Sequence, residues 1–280
     1  MIRWVLAFIA VTAVGTSAGA QTPAERGSYL VNTIMTCGNC HSPKGPPAAV
    51  AGKDFFGGLT WDEPPFKVTA PNITPDKETG IGNWTDAQIK TALLTGKRPD
   101  GIQLAEVMPT AFYPILTPGD LDSIVAYLHT IKPLKNKVAD PIYKIALPHH
   151  IYPGAEKSYS QGDLGDKAKR GFYLATIGHC MECHTPFAPP GGRDFKNSLG
   201  KGGAEFPGPW GVVKSRNITS SKTAGLGNWT DGEIKEAIIH GKRKDGSKLI
   251  GPMGFQYYAN MRDADLDAVI AYVRTLPPKE

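Results

Sequence analysis

Cys37, Cys40 and His41 stand in the order Cys-x-x-Cys-His, within "TCGNCHSP" from Thr36 to Pro43. The order returns at Cys180, Cys183 and His184, within "HCMECHTP" from His179 to Pro186, and the two stretches use all four cysteines of the chain. Paired thiols at this spacing can cycle as a redox dithiol, or hold half of a zinc site. They can also add across the two vinyl groups of a haem as thioethers, while the adjoining imidazole ligates the iron. A thioredoxin-like dithiol needs a βαβ context, and none is legible. Zinc needs further Cys or His at finger spacing, and none lies near. A disulfide within Cys-x-x-Cys closes too short a loop to stabilise much, and a bridge between the motifs leaves both histidines without a role. The motifs therefore predict two covalently bound haem c groups. Cys37, Cys40, Cys180 and Cys183 would attach them, and His41 and His184 would be axial ligands.

A haem iron has a second axial position, whose occupant separates electron transfer from catalysis. Met108, in "AEVMPTAFY", aligns with Met253, in "IGPMGFQYY", at an offset of 145 residues. Other candidates fail that test: His129 aligns with Arg274, His240 with Thr95, and Met261 with Leu116. His149 and His150 have no counterpart, and Met35 is too near Cys37 to reach across a ring. Met108 and Met253 are thus the expected sixth ligands. Thioether sulfur is soft and favours ferrous iron, so both potentials should be fairly high.

The offset of 145 recurs along the chain. "GIGNWTDAQIKTALLTGKRPDG" from Gly80 matches "GLGNWTDGEIKEAIIHGKRKDG" from Gly225, and Asn72-Ile73-Thr74 matches Asn217-Ile218-Thr219. "LDSIVAYLHTIKP" at Leu121 matches "LDAVIAYVRTLPP" at Leu266, and, with small indels near the cysteine motifs shifting the offset to 144, "RGSYLVNTI" at Arg26 matches "RGFYLATI" at Arg170. Such self-similarity predicts one domain duplicated. The boundaries are a leader at 1–20, a first domain at 21–135, a linker at 136–163 and a second domain at 164–280.

Each copy should open with a helix, capped in the first by Thr22 with Glu25, that runs into the cysteine motif. A long Gly/Pro-rich loop follows. A second helix starts at the capping box Thr85–Gln88, or Thr230–Glu233, and stops at Gly96, or Gly241. A last helix carries the stripe Leu121, Ile124, Val125, Leu128, or Leu266, Val269, Ile270, Val273. No strand-length alternation of apolar and polar residues stands out, so the expected fold is all-α with long loops. Gly and Pro number 32 and 24 of 280 residues, so a large apolar cofactor would help to organise the interior.

The start, "MIRWVLAFIAVTAVGTSAGA", has a basic residue, an apolar run too short to span a bilayer, and a small-residue close. It reads as a cleavable signal peptide and predicts a periplasmic protein with no transmembrane span in the mature chain; an uncleaved anchor is the alternative. The formal charge of +5 falls to about +4 without Arg3, and no dense basic stretch exists to hold nucleic acid.

With these motifs assembled, the chain resembles the c-type cytochrome subunits and partners of bacterial periplasmic dehydrogenases of alcohols, aldehydes and sugars. The resemblance covers nearly the whole mature chain. It rests on the two attachment motifs, the Asn-Ile-Thr segments, Gly82-Asn83-Trp84-Thr85 with Gly227-Asn228-Trp229-Thr230, and the two methionine loops. It implies two tandem class I cytochrome c-like domains and His/Met haems that relay electrons without substrate chemistry, so not an enzyme. The implied donor is a dehydrogenase, and the implied acceptor another cytochrome or a terminal oxidase. The chain has two haem units where the larger alcohol dehydrogenase subunits have three, which favours a diffusing shuttle. A dihaem peroxidase-like enzyme is the alternative; it would treat its two haems differently, whereas these ligand loops match.

Overall fold

The computed structural model describes residues 21–44, 50–147, 149–188 and 192–280. The expected signal peptide lies outside them. Thr22 caps α1 (Pro23–Tyr29): its hydroxyl accepts the Glu25 N–H at 3.2 Å, and the Glu25 carboxylate accepts the Thr22 N–H at 2.8 Å. The chain passes through a π-helical turn, Leu30–Ile34, into α2 (Gly38–His41), which carries the first attachment motif. The long loop forms a hairpin of β1 (Thr60–Glu63) and β2 (Phe66–Thr69), followed by α3 (Asp86–Thr95) and α4 (Pro118–Thr130). Beyond them β3 (Ile142–Tyr143) adds to β2. The second copy repeats the order: α5 (Lys167–Ile177), α6 (Cys180–His184), the hairpin β4 (Glu205–Gly208) and β5 (Gly211–Lys214), then α7 (Asp231–His240), α8 (Phe255–Tyr258) and α9 (Asp263–Val273).

Helices build the core as expected, but the loops are not strand-free. The hairpins escaped pattern reading because their strands are four residues long and mostly exposed on both faces, so no alternation marks them. The π turn also has a sequence cause. Eleven positions separate Arg26 from Cys37, whereas ten separate Arg170 from Cys180. One inserted residue is what a π turn absorbs.

Two close helix crossings anchor the copies. A Cβ on Gly27 would lie 1.9 Å from the Ser123 carbonyl oxygen, and one on Gly171 would lie 1.9 Å from that of Ala268. Glycine is required there for α1 to cross α4, and α5 to cross α9.

The copies share one apolar core, in which Leu30, Ile34 and Ile124 from the first pack with Tyr173, Leu174 and Ile177 from the second. A reciprocal polar seam joins them. Arg26 grips Asp120 with two 2.8 Å bonds inside the first copy, and Tyr173 of the second donates to the same carboxylate at 2.7 Å. In mirror fashion Arg170 donates to Asp265 at 2.7 Å, and Tyr29 of the first copy donates to it at 2.7 Å. Within the expected linker the stretch from Tyr152 to Tyr159 packs on the core: Tyr152 and Ala155 are buried, and Tyr152 stacks on Phe112 at 4.8 Å. No helix among the described residues is long and apolar enough to cross a membrane.

Candidate haem-binding sites

Each attachment motif begins with backbone strain. Thr36 and His179, immediately before the first cysteine of each motif, have φ of 50° and 43°, in the left-handed region that costs an ordinary residue energy. This turn breaks the incoming helix and starts the short helix that bears both thiols and the imidazole. The same distortion in both copies marks it as a requirement of the motif.

All four thiols are free. Burial pushes Cys37 and Cys183 up to about 12, and Cys40 and Cys180 up to about 11. A dithiol exchanger needs a stabilised thiolate, so this environment argues against redox cycling. Among the described residues no group of three or more His, Cys, Asp or Glu is arranged to hold a metal ion alone.

The imidazoles are held in one orientation. His41 Nδ1 donates to the Pro71 carbonyl at 2.8 Å, and His184 Nδ1 donates to the Arg216 carbonyl at 2.7 Å. A carbonyl can only accept, so the proton sits on Nδ1 and the lone pair on Nε2 is left for a metal. Burial lowers both imidazole pKa values, against the opposing pull of the carbonyl. A neutral, oriented imidazole is the form that ligates iron.

The residues after those carbonyls fix them. The Asn72 side chain accepts from the Thr74 N–H at 2.9 Å and hydroxyl at 2.8 Å, and donates to the Leu134 carbonyl at 2.6 Å. Asn217 accepts from the Thr219 N–H and hydroxyl at 2.9 and 2.7 Å, and donates to the Lys279 carbonyl at 2.7 Å. The Asn-Ile-Thr segments, legible only as a repeat, are thus positioning devices for the histidines. A further tie links each histidine to the loop: the Gly57 and Gly202 amides donate to the His41 and His184 carbonyls at 2.6 and 2.7 Å.

The methionine loops share one backbone shape. The amide two residues on donates back to the Met108 carbonyl at 2.7 Å and to the Met253 carbonyl at 2.9 Å. The intervening residues, Pro109 and Gly254, have φ/ψ of −78°/48° and −81°/53°. Both are close to the inverse γ-turn. Met108 and Met253 are half-buried, and Met108 packs against the shared core. The rivals are engaged elsewhere: His129 contacts Asp86 at 2.8 Å, as its counterpart Arg274 contacts Asp231, while His150 pairs with Glu106 and His240 with Glu236 on the surface.

Three observations test the fit of a covalent haem: free thiols beside an oriented imidazole, a methionine loop of matching shape in each copy, and a buried donor. The Arg98 Nε is buried without a hydrogen-bond partner among the described residues, a cationic donor that a haem carboxylate would satisfy. Trp84 packs against the shared core, and Trp229 packs with Ile234, Leu266 and Ile270. The two attachment segments abut, since a Cβ on Gly178 would lie 3.2 Å from the Ile34 carbonyl. Tyr113 and its repeat partner Tyr258 are held protonated by burial beside the thiols of both motifs.

These features define a tandem haem-attachment protein, and comparison agrees: the cytochrome c family model matches residues 24–132 and again 168–277. The chain belongs to the cytochrome c family. It is 32% identical over 287 residues to the fructose dehydrogenase cytochrome subunit of Gluconobacter japonicus, covering 94% of this chain and 55% of that one. It is 31% identical to a diheme cytochrome c-type protein of Cereibacter sphaeroides, covering 94% of this chain and 89% of that one. An alcohol dehydrogenase (quinone) cytochrome c subunit of Gluconacetobacter polyoxogenes is also 31% identical, over 92% of this chain and 58% of that subunit. The chain thus spans about half the length of the two dehydrogenase subunits, and nearly all of the diheme protein.

Proposed function

We propose that this chain is a periplasmic dihaem electron relay. Two haem c groups, ligated by His41 with Met108 and by His184 with Met253, would pass single electrons from a dehydrogenase to another cytochrome or a terminal oxidase. The observation that carries this reading is the equivalence of the two sites. Each copy presents an Nδ1-locked histidine and a γ-turn methionine loop of the same shape. Haem iron supplies the one-electron couple when bound. The chain's own residues would do the rest: the thiols would tether it, the carbonyls hold the imidazole proton on Nδ1, and Met108 and Met253 would be the second protein ligands to iron. That leaves no site for peroxide, so the chain carries out no substrate chemistry. The abutting attachment segments favour passage between the two groups, and the names of the relatives support a dehydrogenase as donor.

The test is spectroscopic. Protein from a haem-maturing host should show sharp reduced α-bands and no high-spin fraction. Met108→His and Met253→His should each keep haem attached and lower one potential by about 0.1–0.3 V, within the ~0.8 V range that axial ligands command. A high-spin fraction with peroxide turnover would instead indicate the peroxidase-like enzyme. Unchanged spectra and potentials in both variants would remove the methionines from the ligand set.

A further inference from the structure

The two hairpins are equivalent in sequence position but not in cover. In the first copy β3 lies along the β2 edge, with Lys67 opposite Ile142 and Phe66 opposite Tyr143, and the Lys144 amide donates to the Pro65 carbonyl at 2.9 Å. Tyr143 is placed against the Ala105 backbone in the first methionine loop, where Ala105 is only 4% exposed. In the second copy, among the described residues, β5 is paired with β4 alone. Val212, at the position of Lys67, is 64% exposed, and Ile250, at the position of Ala105, is also 64% exposed.

The apolar surface there is continuous. A Cβ on Gly251 would lie 2.8 Å from Val213 Cγ2, so the methionine loop rests on β5. Trp210, 37% exposed, stands at the hairpin tip. The tip itself, "FPGPWGVV" from Phe206, carries no charge, whereas the first copy has Asp62, Glu63 and Lys67 along its hairpin. An open strand edge flanked by large exposed apolar side chains is a template for another strand.

We infer that the β5 edge, with Val212, Trp210 and Ile250, is a docking surface for a redox-partner protein that supplies an extended apolar-aromatic segment. The inference rests on the relay reading, which requires a partner to approach a haem. The first copy shows the kind of segment that fits, because Ile142 and Tyr143 of this chain occupy the equivalent edge. Docking there would bring a partner alongside the Met253 loop, three residues beyond Ile250. Lys248, exposed, flanks the surface and favours an acidic residue beside the partner's strand, whereas Lys214 on β5 is paired with Glu205 at 3.0 Å.

The test uses the holoprotein and a synthetic peptide of residues 139–146, "ADPIYKIA", bearing a photo-cross-linker, with a scrambled peptide as control. The expected labelling maps to β5 and to residues 249–251. The double variant Val212→Lys with Ile250→Ala installs the residues of the first copy, which the same fold accepts, and should cut labelling at least fivefold. Labelling no greater than the scrambled control, unchanged in the double variant, or confined to the first hairpin would overturn the inference. Dimerisation that the double variant abolishes would also overturn it, because the face would then belong to a second copy. Ascorbate reduction and ferricyanide oxidation of the haems separate the two readings. Failure to cycle sinks the relay, whereas normal cycling without labelling sinks only the docking surface.

Discussion

Asn72 and Asn217 are remote in sequence from the histidines whose rings they help to hold. Each folds its own segment into a turn, and the carbonyl just before it accepts a hydrogen bond from the imidazole Nδ1–H. A hydrogen-bonded Nδ1–H makes imidazole a stronger donor to metal, which favours ferric iron and lowers the potential. Asn217→Ala should therefore have two effects. The lost bonds to Thr219 and Lys279 should cost about 1–3 kcal/mol of stability. The loosened Arg216 carbonyl should raise the potential of the second haem, measured by spectroelectrochemical titration, while the first haem stays put. A loss of stability with no change in either potential would assign Asn217 to the fold alone. The histidines, thiols and methionines stand out in the sequence as candidates because spacing and repetition expose them. The carbonyl partners were not, because a backbone oxygen leaves no mark in sequence and Pro71 and Arg216 share no side-chain chemistry.

At the scale of elements, the first and last helices of each copy do two jobs: they cross closely, and they bind the copies together. Gly171→Ala would push a methyl group into the Ala268 carbonyl at α9 and should cost about 2–3 kcal/mol, read as a lower denaturation midpoint. Gly232→Ala, on the exposed start of α7, is the control and should be neutral or slightly stabilising. The seam adds a pH dependence. Burial first, and the bond to Asp265 next, raise the Tyr29 pKa above its ordinary value of 10.0; burial and Asp120 do the same for Tyr173. The folded state keeps these protons where the unfolded chain loses them, so their contribution is full below pH 10 and declines as pH rises above it. Tyr29→Phe should cost about 1–2 kcal/mol near neutrality, by loss of a bond to a charged group. It should also flatten the decline of denaturation midpoint between about pH 9.5 and 11. An equally steep alkaline decline in wild type and variant would refute the seam's role. Sequence revealed these helices through their caps and stripes. It could not reveal the Tyr–Asp exchange, whose partners lie 236 and 53 residues apart. Nor could it show that Tyr152 and Ala155, within residues 136–163, are buried, since one aromatic among polar residues looks alike on a surface or in a core.

For the whole molecule, distribution of charge matters more than its total. Two propionates on each of two haems would bring the formal charge of +5 close to neutrality, yet cations gather near the second methionine loop. Lys242, Arg243, Lys244 and Lys248 stand where the first copy has Lys97, Arg98, Pro99 and Gln103. Lys242 and Lys248 are exposed and pair across this loop as a β-bridge. Arg98 is already engaged by Asp100 at 2.8 Å, and Lys244 lies 3.7 Å from Glu233 while donating to the Asn228 carbonyl. Charge reversal at Lys244 would thus disturb the entry to α7 as well as the surface, so Lys242 and Lys248 are the cleaner probes. If an acidic dehydrogenase is steered to this end of the molecule, the second-order rate of haem reduction should fall about tenfold from low to high ionic strength. Lys242→Glu with Lys248→Glu should give a similar loss at low salt and remove most of the salt dependence, because steering acts on encounter rather than on the later electron step. Lys97→Glu, at the first copy's loop, should change the rate far less. Stopped-flow reduction by the native dehydrogenase, with ferricyanide oxidation as the small-molecule control, measures both. Equal losses from Lys97→Glu and the double reversal would mean that the whole surface, rather than the second haem's end, attracts the donor.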